Sequence, residues 1–130
     1  MKRIKFASLS YLKEMQRRCN KNKDYLKKAK EETGTYLINL IFSRNRTKIV
    51  GFSVKQGNIS DVWLGEKPNV DFILSGKYNN WIKVLKGIMD LKEGYIDRYI
   101  EIRGNFIYLF RNIKGIEAWL KILRNIPTKF

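Results

Sequence analysis

The stretch Asn69-Val70-Asp71-Phe72-Ile73-Leu74-Ser75-Gly76, then Lys77-Tyr78-Asn79-Asn80-Trp81-Ile82-Lys83-Val84-Leu85-Lys86-Gly87, and finally Tyr99-Ile100-Glu101-Ile102-Arg103-Gly104, decides the fold. It reads as strand, helix, strand. Val70, Phe72 and Leu74 alternate with Asp71, Ile73 and Ser75, the period of a pleated strand, and Ser75-Gly76 ends the run. The period then changes. Tyr78, Trp81, Ile82, Leu85, Ile88 and Met89 recur at spacings of three and four, which makes one helical face apolar and turns Lys83 and Lys86 to water. Gly87 loosens that helix. Ile100 and Ile102 return to period two, and Gly104-Asn105 supplies a tight turn and an N-cap for the next helix.

Before this block, residues 35–43, 48–56 and 59–66 are rich in Tyr, Ile, Val, Phe and Trp and predict a three-strand meander. Asn45 is placed to turn the first pair and Gln56-Gly57-Asn58 the second, because Asn and Gly tolerate positive φ. Pro68 separates the third strand from the fourth. After the block, Phe106, Leu109, Phe110, Ile113, Ile116, Leu120 and Leu123 repeat at helical spacing up to Ile126-Pro127, with Gly115 as the expected break. At the N-terminus, Ser8 or Ser10 caps a helix carrying Leu9, Leu12, Met15 and Cys19, and a second helix is predicted over residues 24–32, ended by Thr33-Gly34. One continuous helix with Asn22 in its seam is the alternative. The fold class is α+β: a five-stranded twisted sheet with helices covering one face.

The order of these pieces resembles the sterol carrier protein 2 family. The likeness rests on Asn69 to Gly76, Trp81, Leu85-Lys86-Gly87 and Ile100-Glu101-Ile102-Arg103-Gly104-Asn105, while Asn22-Lys23-Asp24-Tyr25-Leu26-Lys27-Lys28-Ala29 resembles the second helix of stand-alone prokaryotic members. Arg98-Tyr99 and Glu101 depart from the Gly-Lys and Lys usual in the family. The resemblance implies an apolar tunnel between sheet and helices that holds a lipid or acyl chain, on the usual ligand-site scale of roughly a few hundred Å³. Residues that would line it are Trp63, Phe72, Trp81, Leu85, Met89, Phe106, Phe110, Trp119 and Leu120. Taken one by one they read better as a filled core, and only the resemblance favours a tunnel, because an unfilled space leaves no mark on a sequence.

Composition bounds the answer independently. The 130 residues suit one domain, 1–130, with a core large enough to need no disulfide or metal. No apolar run approaches a membrane span, no apolar segment of signal-peptide length follows Met1-Lys2-Arg3, and a lone Cys19 fits a reducing compartment, so a cytoplasmic protein is expected. The 27 basic and 12 acidic side chains leave a net charge of +15. The excess sits in residues 1–34 and 77–130, which suits anionic partners: membrane lipid, nucleic acid or phosphorylated ligands. Arg17-Arg18-Lys21-Lys23 and Lys27-Lys28-Lys30 are the clusters expected to meet an anionic membrane.

Catalytic inventory is poor. There is no His, so the commonest neutral-pH base and metal ligand is missing, and no Ser-His or Cys-His pair can be built. Asp90, Glu93, Asp97 and Glu101 lack metal-ligand spacing, and no phosphate-binding glycine motif occurs, so neither metal nor cofactor is expected. The reading is a non-enzymatic lipid-binding or lipid-transfer protein. Alternatives are a basic nucleic-acid-binding module and an accessory domain docking on an enzyme.

Overall fold

The computed structural model describes residues 2–130. Its centre is a sheet of β2 (Gly34–Ser43), β3 (Arg46–Lys55), β4 (Asn58–Leu64), β5 (Phe72–Lys77) and β6 (Ile100–Arg103), in the order β4-β3-β2-β5-β6. The meander β2-β3-β4 is antiparallel, β5 lies parallel to β2 on its other side, and β6 closes that edge antiparallel. Thr35 and Asp71 fix the parallel register. The Asp71 carboxylate accepts from Thr35 N at 2.8 Å and Thr35 Oγ1 at 3.0 Å, while Asp71 N donates to Thr35 Oγ1 at 2.9 Å.

Strand alternation gives the sheet two unlike faces. Tyr36 stands opposite Phe52 and Phe72 in register, and its ring stacks on both at 5.0 and 4.9 Å; with Ile38, Leu40, Val50, Val54 and Leu74 these make the inner, core-facing side. The outer side carries Leu37, Asn39, Ile73, Ser75 and Trp63. Trp63 lies across Gly51, where a Cβ would meet the indole at 2.4 Å.

The helices pack on the inner face: α1 (Leu9–Lys21), α2 (Lys23–Lys28), α3 (Tyr78–Leu85), α4 (Leu91–Ile96), α5 (Phe106–Arg111) and α6 (Ile113–Arg124). Ser8 caps α1, and Asn22 separates α1 from α2 in extended backbone, its side chain accepting from Tyr25 N at 2.9 Å. The single long helix is thereby excluded, for the reason Asn favours caps over helix interiors. Asn20 clamps α1 to β4 by bonding Ile59 through both main-chain groups, and Gln16 adds a bond to Ile59 O.

Several boundaries differ from the sequence reading. The C-terminal segment breaks at Asn112, not Gly115; Gly115 is buried against Ala29, where a Cβ would come within 3.1 Å of the α2 backbone, so it serves the close α2–α6 approach. The Trp81 helix stops at Leu85, and Gly87 turns the chain at φ +75° into α4, a helix the pattern did not predict. The β3–β4 turn has positive φ at Gly57 as expected, with Gln56 and not Asn58 as its partner, and Asn45 does not adopt positive φ. A short parallel pair, β1 (Ile4–Lys5) with β7 (Thr128–Lys129), ties the two ends of the chain together.

Candidate functional site

Between the inner sheet face and the helices lie two small voids. The first, about 30 Å³, is walled by Tyr36, Ile38, Phe52, Val54 and Leu74 from the sheet and by Tyr25, Glu32, Leu91, Leu109, Ile116 and Trp119 from the helical side. The second, about 40 Å³, is walled by Ile38, Leu40, Val50 and Phe52 beneath Tyr11, Leu12, Met15, Trp81, Leu85, Trp119, Leu120 and Leu123, with Phe6 and Ala7 at one end. Ile38, Phe52 and Trp119 belong to both. Trp119 is the one helical side chain among them; its ring tilts against Phe52 at 5.5 Å and its Nε1 points at Met15 Sδ, 3.3 Å away.

Each void has room for roughly two or three water-sized molecules, far below the ~300 Å³ at which ligand pockets begin. Among the described residues the interlayer therefore shows two small voids in place of the pocket of a few hundred cubic ångströms expected from sequence: the indole of Trp119 and the rings of Phe52 and Tyr36 occupy the space between the layers.

The first void has a polar end. Glu32, 5% exposed, accepts a short hydrogen bond from the Tyr36 hydroxyl, and Tyr25 stands in the same wall. Burial raises the Glu32 carboxyl above its ordinary value, opposed by the Tyr36 hydrogen bond; burial likewise raises the hydroxyls of Tyr25 and Tyr36. The second void presents only apolar surface, and burial raises the Tyr11 hydroxyl above its ordinary value. Cys19 lies in the core with its thiol pushed by burial up to about 12, so it is no nucleophile at neutral pH. Among the described residues no group of three or more His, Cys, Asp or Glu side chains could hold a metal ion.

Of the residues singled out by sequence, Trp81, Leu85, Trp119 and Leu120 converge on the second void. Phe72 is on the inner face but packs between Tyr36 and Tyr108 rather than against a void. Met89 touches the surroundings of Gly94 in α4, and Phe106 and Phe110 flank Tyr95 at 5.7 and 5.5 Å, with Phe106 45% exposed. Trp63 is on the wrong side of the sheet for any space beneath the helices; the Lys67 ammonium sits 4.1 Å from the centre of its ring. Sequence reasoning missed Tyr25, Glu32 and Tyr36. Glu32 lies beyond the end of α2 at Lys28, so helical spacing carried no signal that its carboxyl turns into the core.

An α+β protein with a mixed five-stranded sheet, helices on one face and an apolar interlayer is thus defined. No family model and no curated protein matches the chain. Solved structures do. A crystal structure of sterol carrier protein 2 superposes with TM-score 0.85 at 16% identity over 94% of this chain and 99% of that one. A conserved hypothetical protein of Thermus thermophilus, named as a candidate sterol carrier protein, gives TM-score 0.86 at 15% identity over 99% and 94%. A palmitated sterol carrier protein 2-like protein of Aedes aegypti gives 0.54 at 10% over 92% and 96%. The chain has the sterol carrier protein 2 fold. Among the described residues no helix is long and apolar enough to cross a membrane.

Proposed function

We propose that this protein binds and transfers a lipid or acyl chain, without catalysis, by opening the apolar interlayer between sheet and helices. The observation that carries the reading is the pair of voids parted on the helical side by one indole, Trp119, in a fold shared with sterol carrier protein 2. The palmitated Aedes aegypti protein supports an acyl chain as the ligand type. Turning Trp119 aside joins the voids into one channel from Phe6 and Leu85 to Tyr25. Each methylene drawn into it from water contributes about 0.8 kcal/mol, so a chain of a dozen carbons gains roughly 10 kcal/mol to set against the cost of opening. Trp81, Leu85 and Leu120 wall the channel, Phe72 and Met89 support its rim, and Phe106 and Phe110 lie at its outer margin beside Tyr95.

The test is a fluorescent acyl probe displaced by octanoate, laurate and palmitate at low and at high salt. Affinity should rise with chain length and survive the salt, since burial of an alkyl tail is nearly indifferent to ionic strength while phosphate contacts are not. Absence of saturable probe binding, or affinity that collapses with salt and ignores chain length, removes the carrier reading.

A further inference from the structure

A second site lies at the end of the sheet where the β2–β3 turn, the start of α3 and the β1/β7 pair meet. It is a groove of about 690 Å³ into which Arg3, Lys5, Arg46, Lys48 and Lys129 project above the rings of Phe42, Tyr78 and Phe130. No acidic side chain lines it, and none of its five cations pairs with a carboxylate among the described residues. In the basic clusters of α1 and α2, Arg17 and Arg18 share Glu14 at 2.7 Å and Lys28 reaches Asp24 at 3.2 Å, while Lys21, Lys23, Lys27 and Lys30 have no ion pair among the described residues. What sets the groove apart is that its five unpaired cations stand around one set of aromatic rings with no carboxylate side chain among them.

Its floor is an aromatic ladder. The Arg46 guanidinium lies over Phe42 at 5.0 Å, Phe42 stacks on Tyr78 at 4.6 Å, Tyr78 meets Phe6 at 5.9 Å, Phe6 meets Phe130 at 5.4 Å, and the Lys86 ammonium lies over Phe130 at 5.6 Å. Because the rings are engaged with one another and with cations, they are poor platforms for stacking a nucleobase, which needs an open face. They remain partly exposed, Phe42 at 38% and Phe130 at 47%. Cations that meet phosphates beside aromatic residues that settle at headgroup depth are the composition of a membrane-interface site. Phe6 and Ala7 line both this groove and the second apolar void, so the two are separated by one layer of side chains.

We propose that this groove docks the protein on an anionic phospholipid bilayer, Arg3, Lys5, Arg46, Lys48 and Lys129 meeting lipid phosphates and Phe42 and Phe130 entering the headgroup layer. The docking role rests on the carrier reading for its purpose: it sets the wall formed by Phe6 and Ala7 against the membrane from which a chain would enter.

The test compares two variants of equal charge change. R46E/K48E/K129E alters the groove; K27E/K28E/K30E alters α2, which packs by the β3–β4 turn at the other end of β3, about 30 Å away at the rise of a ten-residue strand. Cosedimentation uses phosphatidylcholine vesicles with and without phosphatidylglycerol. The wild type should bind only the anionic vesicles, the groove variant should bind them roughly 100-fold more weakly, and the α2 variant should stay within a few-fold of wild type. R46Q/K48Q/K129Q, with circular dichroism of every variant, guards against a folding defect. Equal losses in both triple variants would reduce the effect to net charge and overturn the proposal. So would a groove variant that loses single-stranded oligonucleotide but keeps vesicles. The acyl probe in vesicle-free solution is read in parallel: failure of wild type to bind it removes the carrier reading, while the vesicle comparison still judges the groove.

Discussion

The Tyr36 hydroxyl donates a hydrogen bond to Oε1 of Glu32 inside the core, at the polar end of an otherwise apolar void. Both side chains are buried, and the net charge of +15 supplies no cation to this carboxyl: Glu32 has no salt bridge among the described residues. The pair therefore places a titratable group where ionisation is opposed by burial.

Glu32 should make stability fall as pH rises. Its native pKa lies above the ordinary 4.5, so below that value the group is protonated in folded and unfolded chains alike and its contribution is fully present. As pH climbs through the interval up to the raised native value, the unfolded chain releases the proton while the native one holds it, and stability is lost; above the interval the curve is flat again. Glu32→Gln, which keeps an acceptor for Tyr36, should flatten this slope in denaturant titrations across pH. An unchanged slope would mean that Glu32 ionises normally in the native protein.

Cys19 should resist an aromatic disulfide reagent at neutral pH, with its thiol pushed up to about 12 by burial, and react in one step on unfolding in denaturant. Rapid native reaction would require an opening of α1 from the sheet that its packing does not suggest.

Gly51 and Trp63 test the side of the sheet on which Trp63 sits. Gly51→Ala forces the indole away from a Cβ that would lie 2.4 Å from it and should cost about 1–3 kcal/mol, most of it recovered when Trp63→Ala is added. Neither change should alter affinity for an acyl probe. A shift in probe affinity on Trp63→Ala would return that residue to the ligand site.

Much of the fold was legible because it rests on periods and caps. Phe72, Leu74, Ile100 and Ile102 keep the alternation that faces the core, and Asn22 ends a helix by its own chemistry. Gly115 misled because helix breaking and close packing ask for the same residue. The helix α4 escaped notice because Gly94 weakens its propensity, yet a Cβ there would press on Ile100 at 3.1 Å, so packing requires the glycine. The β1/β7 pair is two residues long, too short for any period. Within the site, Trp81, Leu85, Trp119 and Leu120 were found as members of helical stripes, but nothing in a stripe says which member parts two voids or that Glu32 enters a core.

Trp119 should separate stability from binding. Removing its indole by Trp119→Ala deletes the helical partition that both voids share and should cost about 3 kcal/mol, the low end for such truncations because the side chain is only partly buried. In a core that merely packs, this loss would be the whole effect. In a carrier the same change removes the displacement that ligand entry requires, so affinity for a long acyl probe should rise by an order of magnitude or so while Tm falls. Trp119→Leu, a milder reduction, should move both quantities in the same directions by less. Phe110→Ala, half-buried beside Tyr95 and lining neither void, should lower Tm with little change in probe affinity. Loss of probe binding in both Trp119 variants, with circular dichroism still native, would make the indole a contact the ligand needs and not the partition it must pass.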